Sequence, residues 1–227
     1  MKLSVIIPSY NEAKTLPTII GRILRVKLGF KKEIVIVDDG SNDNTQIVLN
    51  KFKDKREIKV LVNKKNLGKG TSIIKALKVV SGDLILIQDA DLEYNPTDIP
   101  RLLEPFKNKS TQVVYGSRVL SKNPISHWTY NLGGRFVTMV TNFLYNTHIT
   151  DEPTGYKVFR SKLLKKIKLN SHRFEFCPEI TAKVSKLKIK IVEVPISYKP
   201  RSVKEKKIKW HDGFSAIYYL FKYRFIN

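Results

Sequence analysis

The sequence predicts an α/β domain built on a mixed, mostly parallel sheet flanked by helices, a Rossmann-like arrangement, and three observations predict it. Short apolar runs, each too short for a helix, recur along the first two-fifths of the chain. Between them lie segments whose apolar residues repeat at helical spacing. Polar and acidic residues gather where each apolar run ends, which in an open α/β sheet is the edge that binds ligands. Strands separated by helices imply right-handed parallel crossovers.

The elements follow in order. Leu3–Ile7 (LSVII) reads as a strand, and Leu16, Ile19, Ile20, Ile23 and Leu24 mark one face of a helix, with Pro17 tolerated in its first turn. Ile34–Val37 (IVIV) is the next strand, followed by a helix through Ile47, Val48, Leu49 and Phe52 and by the strand Ile58–Val62. The loop Asn66–Gly70 leads into a helix carrying Ile73, Ile74, Leu77 and Val80, which returns to the central strand Leu84–Ile87. Farther on, QVVY reads as a strand, and a helix over 135–146 carries Phe136, Met139, Val140, Phe143 and Leu144, an apolar stripe that reads as core. EVPISY (Glu193–Tyr198) is the last strand.

Composition narrows the class. The chain has 227 residues, enough to bury a substantial core, and 42 Lys and Arg against 20 Asp and Glu leave a net charge of +22. Such an excess attracts phosphorylated substrates, anionic lipid headgroups or nucleic acid. One cysteine, Cys177, excludes an internal disulfide and a cysteine-based metal cluster, and suits a reducing compartment. The N-terminus does not read as a signal peptide, and no apolar stretch approaches the ~18–20 residues of a membrane span. The four histidines show no metal-ligand spacing.

The strand ends carry the chemistry. After the first strand comes PSYNE, with Pro8, Tyr10, whose ring can stack on a base, and Glu12 near the helix start. After the second come Asp38 and Asp39, able to accept from a base N–H or a ribose hydroxyl. After the third, the glycines of NLGKG permit close backbone approach, and Lys69 can meet a phosphate. After the fourth, Asp89 and Asp91 place hard oxygen donors on one turn, with Glu93 two residues on, a set suited to Mg²⁺ or Mn²⁺ carried by a diphosphate. Each feature alone also reads as an ordinary turn or helix cap. Their convergence on one edge is what counts.

In this order and spacing, PSYNE, DDGS, NLGKG and QDADLEYNP resemble the inverting family 2 glycosyltransferases of GT-A fold. GSR (Gly116–Arg118), DEPTGYKVFR (Asp151–Arg160), EVPISY and PRSVKEKKIKWHDG narrow the resemblance to the polyprenyl-phosphate hexose synthases, the dolichol-phosphate mannose synthase group. The resemblance implies a hexose, mannose favoured, moved from a nucleotide diphospho-sugar to a polyprenyl phosphate. GDP-mannose is the first donor expected, with UDP-glucose and UDP-N-acetylglucosamine open. It implies Pro8, Tyr10, Glu12, Asp39, Lys69 and Asp89 around the nucleotide-sugar and Asp89, Asp91 and Glu93 at the metal. Arg118, Arg135 and Arg201 are implied at the acceptor phosphate, and Asp151 facing the reaction centre beside Asp91 and Arg118.

The resemblance further implies a catalytic domain over 1–198. Residues 199–227 then form a basic acceptor loop and a C-terminal amphipathic segment of that same domain. There aromatic residues mix with Lys and Arg, a composition favoured at a bilayer interface. This predicts a peripheral protein on the cytoplasmic face of a membrane, with or without an anchoring partner subunit. Where relatives carry Gly-Lys-Lys-Ile this chain reads KEKKI, a departure expected to stiffen the loop bearing Arg201. Three other readings compete, one of which, a nucleotidyltransferase on a similar sheet, lacks the glycine-rich signature expected near its N-terminus. A family 2 enzyme acting on a sugar hydroxyl would need a base, for which Asp151 is the candidate. A nucleic-acid-binding protein would use the net charge, but shows no binding motif, so no nucleic-acid partner is expected.

Overall fold

The computed structural model describes residues 1–124, 128–202 and 210–226, with the side chains of 210 and 211 outside the description. His127, His211 and the KEKKI departure therefore lie outside the described side chains. The elements run β1 (Lys2–Ser9), α1 (Leu16–Arg25), β2 (Lys31–Asp38), α2 (Thr45–Asn50), β3 (Ile58–Val62), α3 (Lys69–Leu77) and β4 (Leu84–Ile87). There follow α4 (Ile99–Leu103), β5 (Val113–Ser117), α5 (Trp128–Tyr145), β6 (Lys157–Arg160), α6 (Ser161–Lys166), α7 (Phe176–Lys186), β7 (Ile191–Pro195) and α8 (Trp210–Phe225).

The seven strands form one sheet in the order β3-β2-β1-β4-β6-β5-β7. All neighbours are parallel except β6, which runs antiparallel between β4 and β5. Both faces of the sheet are covered, which is why the strands read as unbroken apolar runs. Leu3, Val5, Ile7, Leu84 and Leu86 pack on the α1 and α4 side, whereas Ile6, Ile85 and Ile87 pack with Ile73 of α3 and Phe176 and Ile180 of α7.

Three expectations need correction. The expected short helix around Ile47 buries Leu49 but leaves Ile47 62% exposed, because α2 packs through a single turn. The helix expected from residue 135 begins at Trp128. Its apolar stripe is not core: Met139 is 59% and Phe143 87% exposed, and it is the small Thr138 and Thr141, with Val137, that face inward. The helical repeat says that one face is apolar; what covers that face is a tertiary matter.

α8 packs on α5 and α7. Tyr145 Oη of α5 donates to the Leu220 carbonyl at 2.6 Å, fastening the two helices side by side.

Candidate active site

The carboxyl ends of the strands open into a cleft of about 920 Å³. Pro8, Tyr10 and Glu12 line it from β1, Asp39 from β2, and Lys69 from the start of α3. Asp89, Asp91 and Glu93 line it after β4, Arg118 after β5, and Arg201 after β7. Asp151 and Arg135 line a second cavity of about 190 Å³, which shares Arg118 and Tyr198 with the first.

At the β2 end, Asp39 organises a loop. Its carboxylate accepts from Asn63 Nδ2 at 2.7 Å, from the Leu67 amide at 3.0 Å and from the Gly68 amide at 2.7 Å. Gly68 takes φ +98°, a conformation that favours glycine. The glycines of this loop do permit a close approach, but by the chain's own backbone. A Cβ on Gly70 would stand 2.4 Å from the Ser171 carbonyl oxygen, and the Gly70 and Thr71 amides donate to Arg173 and His172 carbonyls at 3.2 and 3.0 Å. The Gly70 and Thr71 amides in the first turn of α3 are thus already satisfied. Glu179 of α7 holds the approaching segment: it accepts from the Asn170 and Ser171 amides, both at 2.8 Å.

The acidic residues after β4 are met by internal cations. Lys69 Nζ bonds Asp89, so the lysine expected at a phosphate is held by a carboxylate. Arg201 Nη2 bonds Asp91 at 2.8 Å, its Nη1 lies 3.4 Å from Glu12 and its Nε 3.9 Å from Glu93. The Arg201 amide also donates to Glu93 at 2.8 Å, and the Lys199 amide to the Glu93 carbonyl at 2.9 Å. Arg201 thus stands on the carboxylates, where an uncompensated negative charge draws a guanidinium. Burial pushes the Asp91 carboxyl up to about 7, repulsion from Asp89 and Glu93 adds to this, and Arg201 opposes it.

Such a set fits a hard divalent ion by donor type. Among the described residues, however, no three carboxylate, thiol or imidazole side chains stand together in metal-binding geometry, since Lys69 and Arg201 divide them. Buried polar atoms without a partner include Ser9 Oγ, Glu152 Oε2 and Arg201 Nε, on three residues that line the cleft. A polar ligand is what such atoms lack.

At the other end Arg118 and Asp151 form a bidentate pair, Nε to Oδ2 at 2.8 Å and Nη2 to Oδ1 at 2.7 Å, and the Arg118 amide donates to the same carboxylate at 2.9 Å. Burial would raise the Asp151 carboxyl, but the charge and bonds of Arg118 overrule it and hold it below the usual range. The Arg118 guanidinium lies 5.1 Å from the centre of the Tyr198 ring. Sequence reasoning missed Glu193, whose carboxylate accepts from the Thr150 amide at 2.7 Å and the Asp151 amide at 3.1 Å and so fixes the loop carrying Asp151. The strand expected over Glu193–Tyr198 runs instead from Ile191 to Pro195, and EVPISY gave no sign of these partners. It also missed Glu152 and Lys157, both fully buried.

The family model described as glycosyl transferase family 2 matches residues 4–168. The chain belongs to this family. Among its relatives, a dolichol-phosphate mannosyltransferase of Pyrococcus furiosus is 32% identical over 98% of this chain, and a UDP-N-acetylglucosamine–dolichyl-phosphate N-acetylglucosaminyltransferase of Methanococcus voltae is 30% identical over 85%. A dolichyl-phosphate beta-glucosyltransferase of Trichomonas vaginalis is 32% identical over 86%. The matches span 63%, 83% and 65% of those proteins' own lengths, respectively. Among solved structures, glucosyl-3-phosphoglycerate synthase of Mycobacterium tuberculosis with UDP superposes with a TM-score of 0.76 over all of this chain and 81% of that one, at 19% identity. Its complex with Mn²⁺, UDP and glucosyl-3-phosphoglycerate gives a TM-score of 0.73, also at 19% identity. As a family 2 glycosyltransferase the chain thus has the GT-A fold, with β6 as the antiparallel strand of its sheet.

Proposed function

We propose that this chain is an inverting hexosyltransferase that moves a hexose from a nucleotide diphospho-sugar to a polyprenyl phosphate. The observation that carries the reading is the state of Asp151. It is the one acidic residue among the described residues that line the smaller cavity, and it is locked to Arg118, whose charge and bonds hold its carboxyl low. A carboxylate so committed is a poor base, so an acceptor arriving there has to bring its own negative charge. A phosphate does; a sugar hydroxyl does not. The names of the dolichyl-phosphate transferases among the relatives support the same acceptor.

The residues divide the work. Pro8, Tyr10 and Glu12 border the nucleotide end, and Asp39 shapes that end by holding the loop of Gly68. Asp89, Asp91 and Glu93 are the residues that would hold Mg²⁺ or Mn²⁺, which when bound neutralises the diphosphate as it leaves. Lys69 faces the same diphosphate. Arg118, held flat by Asp151 and Tyr198, grips the acceptor phosphate with Arg135, and Arg201 joins them once released from the carboxylates. One phosphate oxygen attacks the anomeric carbon, the bond to the donor's phosphate breaks, and the electron pair leaves on the nucleoside diphosphate. A single displacement inverts the anomeric centre.

With a polyprenyl phosphate as acceptor, the proposed site of action is a membrane surface, on its cytoplasmic face. No helix among the described residues is long and apolar enough to cross a membrane. Trp128, Leu132, Phe136, Met139 and Phe143 form an exposed stripe along α5, and Phe214, Tyr218, Phe221 and Phe225 are exposed on α8, next to Lys222 and Arg224. Apolar faces edged by cations lie stably in a bilayer interface. An anchoring partner subunit would dock on the same helices. Flotation of the purified protein with protein-free anionic liposomes separates the two: cofloating supports direct docking, and loss of cofloating in Phe143→Ser with unchanged melting assigns it to α5.

Transfer of radiolabelled sugar tests the reaction. Purified protein, Mn²⁺ and polyprenyl phosphate are incubated with GDP-mannose, UDP-glucose or UDP-N-acetylglucosamine, with Asp91→Ala as control. Label in the lipid phase from one donor, lost in the control, establishes the reaction. A protein that binds a nucleotide-sugar yet labels no lipid from any donor refutes the phosphate acceptor.

A further inference from the structure

The loop between α5 and β6 touches both ends of the site. Asp151 grips Arg118, and a Cβ placed on Gly155 would stand 2.3 Å from Asp89 Oδ2. With the diphosphate at Asp89 and the acceptor phosphate at Arg118, the transferred hexose has to lie between them, beside residues 151–155. This placement rests on the transfer reaction proposed above.

Glu152 sits in that loop, lines the cleft and is fully buried. Its Oε1 accepts from Thr181 Oγ1 at 3.0 Å, and Thr181 is in turn bonded to Tyr115 Oη at 2.9 Å. Its Oε2 has no hydrogen-bond partner. The backbone on either side is pinned: the Glu152 amide donates to Thr138 Oγ1 at 3.0 Å, and its carbonyl accepts from the buried Lys157 Nζ at 2.7 Å. The carboxyl group therefore cannot swing away to find water. A buried carboxyl oxygen held without a partner is costly, and it persists where a ligand completes it. The nearby ammonium of the buried Lys157 opposes the cost of burying this carboxyl, but it leaves Oε2 without a hydrogen bond.

We propose that Glu152 reads the donor sugar. Its Oε2 accepts a hydrogen bond from one hydroxyl of the hexose as the sugar settles against residues 151–155, and so helps to set which hexose is transferred. A site built to bond one hydroxyl rejects a sugar lacking it, or carrying it on the other side of the ring, by leaving the carboxyl again unpaired. Thr181 and Lys157 act through Glu152 as positioning residues.

The test is binding without acceptor, so that a wrong acceptor leaves it untouched. Calorimetric titration with Mn²⁺ present compares UDP, GDP, UDP-glucose, UDP-N-acetylglucosamine and GDP-mannose against the wild type and the near-isosteric Glu152→Gln. The variant is expected to lose about tenfold or more in affinity for the preferred nucleotide-sugar while keeping its affinity for the matching nucleoside diphosphate. Equal losses for both, or no loss for either, overturn the proposal. So does a wild type that gains nothing from the sugar over the diphosphate alone. If Glu152→Gln does not fold, Thr181→Val, which frees the other carboxyl oxygen, is expected to change affinity for the nucleotide-sugar and not for the diphosphate; unchanged sugar affinity then refutes it.

Discussion

Replacing Arg201 by alanine is expected to tighten Mn²⁺ binding to the donor-free protein by about thirtyfold. If Asp89, Asp91 and Glu93 hold the ion as proposed, Arg201 occupies the place that the ion needs and has to be displaced first. The contact that counts is Nη2 to Asp91 Oδ2 at 2.8 Å, because those at 3.4 and 3.9 Å are too long to add much. A hydrogen bond between charged groups contributes roughly 1.5–3 kcal/mol. The two side chains are 20% and 12% exposed, so screening removes only a little. About 2 kcal/mol remains, which is about thirtyfold in a dissociation constant. The assay is titration of free Mn²⁺ by electron paramagnetic resonance without nucleotide. It is run at about pH 8, above the value of about 7 of the Asp91 carboxyl; removing Arg201 also removes the charge that opposes that rise, so a proton held by Asp91 makes the gain smaller, not larger. Arg201→Lys, which keeps the charge and loses the fork, is expected to fall between wild type and alanine. If Arg201→Ala binds Mn²⁺ no more tightly than wild type, Arg201 is not a competitor, and Asp91 and Glu93 are not the ion's ligands. Because Arg201 is also proposed at the acceptor phosphate, the same variant is expected to transfer sugar more slowly while binding metal better.

Other outcomes follow from the same geometry. In wild type, Mn²⁺ affinity is expected to rise as pH increases through about 7, since the raised Asp91 carboxyl holds a proton below that value; a flat profile from pH 6 to about 8 would contradict this. Asp151→Asn is expected to slow transfer about tenfold to a hundredfold while leaving the pH profile of the remaining activity unchanged, whereas abolished turnover would mark Asp151 as a base after all. Glu33 accepts from Lys2 Nζ at 2.8 Å, Ser4 Oγ at 2.6 Å and the Ser81 amide at 2.6 Å. Burial would raise its carboxyl, but these bonds bring it from 4.5 down to about 2, a stabilisation of ~3 kcal/mol. That stabilisation is present above pH 4.5 and lost as pH falls towards 2, so denaturant unfolding of Glu33→Gln should lack this loss. Gly70→Ala is expected to cost roughly 1–3 kcal/mol in a thermal or urea melt, because its Cβ meets the Ser171 carbonyl, a backbone atom that cannot turn aside.

Much of the candidate site was legible because parallel crossovers deliver the end of each parallel strand to the same edge. Apolar runs located β4 at Leu84–Ile87 and β3 at Ile58–Val62 to the residue, and whatever followed them had to converge. That placed Tyr10, Asp39, Asp89 and Asp91 in one cleft without reference to any contact. The strand β6 escaped notice, since Lys157 at its start reads as a solvent residue and is in fact fully buried over the ring of Tyr115. Glycine at 68 and 70 announced a close approach without saying of what.

By itself, then, the sequence determined the layered α/β fold, the edge where the site forms and the residue types gathered there, because these depend on periodicity and chain direction. Tertiary structure alone decided who meets whom. Arg201 reaches Asp91 across 110 residues, Arg118 pairs with Asp151, and the apolar stripe of α5 is left exposed on the surface of the domain. Each of these outcomes turns on which charge or surface lies nearest after packing, and local pattern carries no record of that distance.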